Sequence, residues 1–424
     1  MIKQILFALV GAVVLSSTAI AGIVGSGTPS SCTQSALQAQ IASGGTITFN
    51  CGAGPQTIAI TSPLFFGSTF PKVTVDGNDT ITLDGTGNTS GMISVAGNTT
   101  VLANVTLKHI TIANGDISTG LNAGGSIQNF GNLTLDTVTL KNSKAGGAIF
   151  QEPCTGCLNP LLTVTHCLFQ NNTSSPISME GGIAAIADST FTGNSSGVGG
   201  AIDIDSNSTF LVVVSIDRCT FNNNSATFFG GAIAVDGLNT GSSVTIKNNT
   251  FTGNSATGSV AKGAAIYIGV GPVTIANCTI AGNTAAASGG AVYIEARTPV
   301  TFMNNTIISS NSGGNCLLTS GVTFNGGHNL QFGDSTCTGV PVANPLLGTL
   351  ADNGGPTQTM ALGAGSPAID GGDGGVAPST DQRGVVRNDG NGDGIVAADI
   401  GAFEAAAATG NTPQPPKRHR AVKP

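Results

Sequence analysis

One motif is written over and over through the middle of this chain. Between Thr163 and Ser312 a short β-like run leads into Phe-x-x-Asn, then a Gly-rich patch, then a second β-like run. Asp188-Ser-Thr-Phe-Thr-Gly-Asn194 precedes Gly199-Gly-Ala-Ile-Asp-Ile204, and Arg218-Cys-Thr-Phe-Asn-Asn-Asn224 precedes Gly230-Gly-Ala-Ile-Ala-Val235. The anchors Phe191, Phe221, Phe251, Ile280 and Ile307 fall 30, 30, 29 and 27 residues apart. A period in this range specifies stacked supersecondary units, so function must lie on columns that run along the stack.

The units are too short and too broken by glycine for a strand plus a crossover helix. Val244-Thr-Ile246, Val273-Thr-Ile275 and Val300-Thr-Phe302 alternate with period two, branched or aromatic groups inward and Thr outward. Ile202, Ile233, Ile266 and Val292 make a second inward column, and Ile204, Val235, Ile268 and Ile294 a third. Only 9% of residues are charged, against 62 glycines and no Trp, which is poor material for helices. The expected fold is all-β, a parallel β-helix with one coil per repeat. Asn172, Asn194, Asn224, Asn254 and Asn283 stand three residues after the Phe position. Their amides can bond along the axis, and Asn also suits a left-handed turn.

Phe-x-x-Asn followed by Gly-Gly-Ala-Ile resembles the repeats of chlamydial polymorphic outer-membrane proteins and of many bacterial right-handed β-helix proteins. That resemblance covers roughly residues 130–312 and implies a right-handed single-stranded solenoid. Weaker coils at Val73-Thr-Val75, Ile81-Thr-Leu83 and Val105-Thr-Leu107 extend it toward the N-terminus. Asn344-Pro-Leu-Leu-Gly, Ala351-Asp-Asn-Gly-Gly-Pro-Thr, Gly365-Ser-Pro-Ala-Ile-Asp370, Thr380-Asp-Gln-Arg-Gly384 and Asp399-Ile-Gly-Ala-Phe-Glu404 together resemble a choice-of-anchor Q domain. This second resemblance implies a loop-rich C-terminal region, 343–404, ahead of a surface-sorting tail.

The organisation expected is a signal peptide over 1–21, an N-terminal cap over 22–51, and the β-helix over 52–342. The C-terminal region and a basic, Pro-rich disordered tail over 405–424 complete it. Lys3, the apolar run Ile5 to Leu15 and Ala19-Ile-Ala21 carry the export signal, which places the protein outside the cell or on its surface, as a monomer. No later segment is apolar for long enough to span a membrane. A net charge of −7 argues against nucleic acid as partner.

Among the nine cysteines, Cys32 and Cys51 flank a short helical cap, Thr33 to Ala42, and are expected to pair. Cys316 with Cys337 should staple the last coil, and Cys154-x-x-Cys157 should close a loop. Cys167, Cys219 and Cys278 occupy alternate coils of one column, about 9.6 Å apart, beyond the reach of a disulfide. They are expected as free, buried thiols.

Three constellations could carry function. The outward columns after each Gly-Gly-Ala read Asp203, Ala234, Tyr267, Tyr293 and Asp205, Asp236, Gly269, Glu295. Aromatic faces beside carboxylates suit sugar rings, so Tyr267, Tyr293, Asp205, Asp236 and Glu295 are the candidate glycan-binding residues, and a cross-strand aromatic pair is the structural reading. Asp203, Asp205, Asp236 and Glu295 are the catalytic candidates of a polysaccharide lyase or glycoside hydrolase. Polygalacturonase motifs are otherwise missing, Gly327-His-Asn329 being a partial echo of Gly-His-Gly. Asp389, Asn391, Asp393 and Asp399 form a partial calcium-loop pattern whose register fails at position twelve, Ile400, so Ca²⁺ is a secondary expectation and a polar turn the stronger one. The leading expectation is a non-catalytic β-helix that binds an extracellular glycan or a cell-surface component. An enzyme and a purely structural stalk are the alternatives.

Overall fold

A computed structural model describes residues 22–68, 72–118, 124–153, 156–205, 210–286, 288–295, 302–319, 325–388 and 397–406. It is a parallel β-solenoid of about nine turns with very little helix. The signal-peptide expectation, Cys154 and the tail beyond Ala406 lie outside the described residues. Among the described residues no helix is long and apolar enough to cross a membrane.

Each central coil runs through three sheets. The first strand, such as Val212–Asp217 or Ser243–Lys247, alternates buried and half-buried positions, the period-two pattern of a strand with one face on a core. A residue with positive φ then turns the chain: Asp188, Arg218, Asn248 and Asn277 all sit at φ between 48° and 54°. The Phe strand follows, Thr190–Thr192, Thr220–Asn222 or Thr250–Thr252, and pairs in register with its neighbours. Phe169, Phe191, Phe221 and Phe251 stack face to face, with centroids 4.5, 4.9 and 4.7 Å apart. The column the repeat predicted is therefore a buried aromatic ladder.

Beyond it stands the Asn ladder. Asn194 Nδ2 donates to Asn224 Oδ1 at 2.8 Å, Asn224 to Asn254 at 2.9 Å, Asn254 to Asn283 at 2.9 Å and Asn283 to Asn311 at 3.0 Å. Each Oδ1 also accepts the backbone N–H of the Asn before it, as Asn254 does from Asn224. These amides are buried, so the chain turns inward without leaving polar groups unpaired. The left-handed conformation falls one residue earlier than expected, on Asn171, Gly193, Asn223, Gly253 and Gly282.

A short strand comes next in four coils, Ser195–Val198, Ser225–Phe229, Ser255–Ala256 and Thr284–Ala285. The Gly-Gly pair then makes a sharp turn. A Cβ on Gly199 would stand 2.3 Å from the carbonyl oxygen of Ile202, and the φ of +56° is itself unfavourable for a side chain. The turn feeds a ten-stranded sheet that rises from Leu64–Phe66 to Cys316–Leu318.

The N-terminal cap is the helix Gln34–Ile41. The Thr33 side chain accepts the Ala36 N–H, and Leu37 and Ile41 are buried over the first coil. Cys32–Cys51 and Cys316–Cys337 are disulfide-bonded at the two ends of the stack, and Cys167, Cys219 and Cys278 are free and buried.

The last repeat requires a correction. Ile308, not Ile307, pairs with Ile280, and Met303 rather than Phe302 pairs with Ile275. Phe302 therefore points outward and is 45% exposed, and Thr306 rather than Asn305 meets the Cys278 N–H. Adjacent isoleucines hid this one-residue slip, because either one satisfies the apolar pattern.

Residues 343–388 and 397–406 do not project away from the solenoid. They lie along its wall over the coils from Arg218 to Asn305. Gln382 donates to Thr220 and accepts from Thr250, Arg387 donates to Asn248, and Thr279 Oγ1 accepts the Ala402 N–H. Thr357, Gln382, Asp399 and Glu404, all from the C-terminal motifs, thus build this docked layer. Arg387 and Glu404 pair at 2.7 Å with side chains 5% and 0% exposed, and Arg383 pairs with Asp381 at 2.7 Å.

Candidate functional site

The Gly-Gly turn folds the chain so that the outer faces of two sheets look at each other. Val198 and Phe229, from the short sheet, pack on Ala234, Tyr267 and Tyr293 of the ten-stranded sheet. The result is a corner between the two sheets that runs from coil to coil along the solenoid axis. Its floor is one column of the ten-stranded sheet, read by pairing as Ser178, Asp203, Ala234, Tyr267, Tyr293, Leu317.

Toward the C-terminal end the corner is filled by aromatics. Phe229 stacks on Tyr267 at 4.6 Å and Tyr267 on Tyr293 at 5.3 Å. Lys262 Nζ stands 4.5 Å from the Tyr293 ring centroid, donates to its hydroxyl at 2.9 Å and pairs with Glu295 at 3.5 Å. Both tyrosine hydroxyls reach Glu295, from Tyr267 at 3.3 Å and from Tyr293 at 3.5 Å. The expected open stacking platform is thus absent. Tyr267 and Tyr293 are 3% and 2% exposed, because Phe229 covers the one ring and Lys262 the other. Burial, with the nearby charges of Asp236 and Glu295, also raises the Tyr267 hydroxyl above its ordinary pKa.

Toward the N-terminal end the same column carries Ala234, Asp203 and Ser178 and then Phe150 and Gln128, so the residues flanking Asp203 along the column are small. Asp203 Oδ1 is buried and has no hydrogen-bond partner among the described residues. Burial, followed by the charges of Asp205, Asp236 and Glu180, pushes the Asp203 carboxyl up to about 7. Glu180 is raised too, by burial and then by Glu152 and Asp205. Asp205 and Asp236 stand exposed at the rim. A bulge separates Ile204 from Asp205 in the pairing, so Asp205 lies opposite Gly237 and Asp236 is the extra residue. A separate hydroxyl-lined trough of about 320 Å³, bordered by Thr173, Ser195, Ser225 and Thr257, lies along the short sheet.

The structure brings Asp203, Asp205 and Asp236 together and sets Glu295 among the tyrosines and Lys262. Lys262, Phe229 and Glu180 were not singled out from sequence. Lys262 and Phe229 belong to the Gly-rich patch before the turn, and only the closed corner carries them to the acids. Of the residues in the calcium expectation, only Asp399 is among those described. Asp389, Asn391 and Asp393 lie outside the described residues, and both Asp399 oxygens accept backbone N–H groups, from Asp370 and Ala405. Among the described residues no group of three or more His, Cys, Asp or Glu could hold a metal ion.

Comparison with known proteins agrees with this architecture. Residues 109–269 match the family described as right handed beta helix region, and residues 277–295 match the Chlamydia polymorphic membrane protein repeat. No curated protein matches the chain. Among solved structures, the PL6 family alginate lyase AlyGC is similar at 13% identity and a TM-score of 0.43, over 80% of this chain and 55% of the lyase. A point mutant of that lyase gives 13% identity and a TM-score of 0.36, over 93% and 60%. The chain therefore spans less than two thirds of the lyase.

Proposed function

We propose that this protein is an extracellular β-helix that engages a neutral polysaccharide through the acidic end of the corner at Asp203, Asp205 and Asp236. The observation that carries this reading is the buried Oδ1 of Asp203, without a hydrogen-bond partner among the described residues, in a corner flanked by further carboxylates. Carboxylate oxygens accept hydrogen bonds from sugar hydroxyls, and a corner parallel to the solenoid axis suits a long polymer. Charge selects the class of polymer. With several acids against Lys262, the corner repels polyuronates and admits uncharged chains. The two disulfides suit an extracellular setting.

Affinity electrophoresis of the disulfide-intact protein through xylan, mannan, dextran and β-1,3-glucan, with alginate and polygalacturonate in parallel, tests the reading. Retardation by at least one neutral polymer, lost in an Asp205→Asn/Asp236→Asn double variant, is the expected result. Retardation confined to the polyuronates, or unchanged in the double variant, contradicts it.

A further inference from the structure

The Asp203 column contains its own control. The coil before places Ser178 at this position and the coil after places Ala234, both neutral and both compatible with the fold. A carboxyl at the floor of the corner, one oxygen buried and unpaired, costs free energy that Ser or Ala would avoid. Such a group is retained where chemistry uses it. The charges facing it come from both sides: Glu180 from the preceding coil, Asp205 from its own strand and Asp236 from the following coil.

Asp205 supplies the second half of an acid–base pair. It lies two residues along the strand Ile202–Asp205, on the same face, where successive same-side residues are about 6.6 Å apart. An inverting glycoside hydrolase uses such a pair, one carboxyl as proton donor and a separate one as the base for a water molecule. Asp205 is exposed at the rim, where water reaches it, whereas Asp203 sits at the floor.

We infer that the corner hydrolyses glycosidic bonds of the neutral polysaccharide it binds, with Asp203 as proton donor and Asp205 as the base that activates water. The Asp203 carboxyl gives its proton to the glycosidic oxygen as the bond from that oxygen to the anomeric carbon breaks. A water oxygen bonds to the anomeric carbon from the opposite face, and the proton it sheds goes to the Asp205 carboxylate. Solvent then carries that proton from Asp205 back to Asp203, restoring the pair. The sum is one water consumed per bond cleaved, with inverted configuration. Burial keeps Asp203 protonated up to neutral pH, the state its role requires.

This inference rests on the binding reading above, and the experiment separates the two. Xylan, mannan, dextran and β-1,3-glucan are each incubated with the wild type, Asp203→Asn and Asp205→Asn. Binding, reducing-end release and the anomeric configuration of the first product by NMR are followed. The expected result is release of reducing ends with inversion from a polymer that binds. Turnover at saturating polymer declines above about pH 7 and falls about 10²–10⁴-fold in either variant, well beyond the change in affinity that the same retardation assay reads. Should Asp203→Asn fail to fold, as judged by circular dichroism, Asp203→Ser copies the residue of the neighbouring coil. A polymer that binds and stays intact overturns the hydrolytic role alone, as do unsaturated product ends or full activity in the variants. Absence of binding to every polymer overturns both.

Discussion

Phe229 lies nearly parallel to Tyr267, ring centroids 4.6 Å apart, so an aromatic from one sheet closes the corner against an aromatic from the next coil of another. This contact divides the corner in two. One end is packed with aromatics, and the other is left to Asp203 and its small neighbours Ser178 and Ala234. Tyr267→Ala should therefore lower stability by about 3–5 kcal/mol in chemical denaturation, as other large-to-small core changes do. Tyr267→Phe, which keeps the ring and deletes the bond to Glu295, should cost only about 1 kcal/mol.

Asp203 makes stability depend on pH with a definite sign. Its pKa rises from 3.8 in the unfolded chain to about 7 in the fold, so the folded state holds the proton more tightly. Its contribution is fully present below about pH 4 and is lost as the pH climbs through 7. Asp399 acts in the same direction, its carboxyl also raised to about 7, chiefly by burial. The diagnostic quantity is thus the difference from Asp203→Asn. Melting curves should show the variant gaining on the wild type by on the order of 2–4 kcal/mol between pH 4 and pH 8. Parallel curves at both pH values refute this.

Arg387 holds the C-terminal layer through Glu404 and Asn248. Arg387→Ala leaves the Glu404 carboxylate buried without its partner, at a cost of about 3–5 kcal/mol. Limited proteolysis should then cut within residues 343–388 under conditions where the wild type resists. The coils before Arg218 should keep their hydrogen-exchange protection.

Asn224 is the middle of the amide ladder. Asn224→Ala removes the acceptor for Asn194 and the donor to Phe191 and Asn254. With each orphaned buried group costing about 1–3 kcal/mol, a total loss above about 3 kcal/mol is expected in denaturant melts.

The three free thiols should be inert in the native protein. Burial pushes Cys167 and Cys278 up to about 12 and raises Cys219 as well. Alkylation followed by mass spectrometry should leave all three unmodified until the chain is unfolded.

Much of this architecture was legible because a solenoid repeats its grammar. Phe191, Phe221 and Phe251 announced their column by spacing alone, and Cys32 and Cys51 announced a cap by flanking a helical segment. What failed to show is what depends on neighbours from outside the repeat. The tyrosines alternate as outward residues should, yet the Gly-Gly turn bends one outer face onto another and buries them. No period encodes that bend, since the turn angle is set by backbone conformation at Gly199 and Gly230. The slip at Ile307 escaped for a related reason. Its side chain is buried outside the coil, against Ala368 and Ile400 of the docked layer, so its apolar character had a second cause.

In a simple stack each coil answers only to the two beside it, and either end can peel. The segment laid across the wall from Arg218 to Asn305 changes that. It acts as a latch over successive rungs, so the C-terminal half cannot unzip one rung at a time until the latch has lifted. Opening must begin at the opposite end, under the small helix, where a single disulfide guards the first rung.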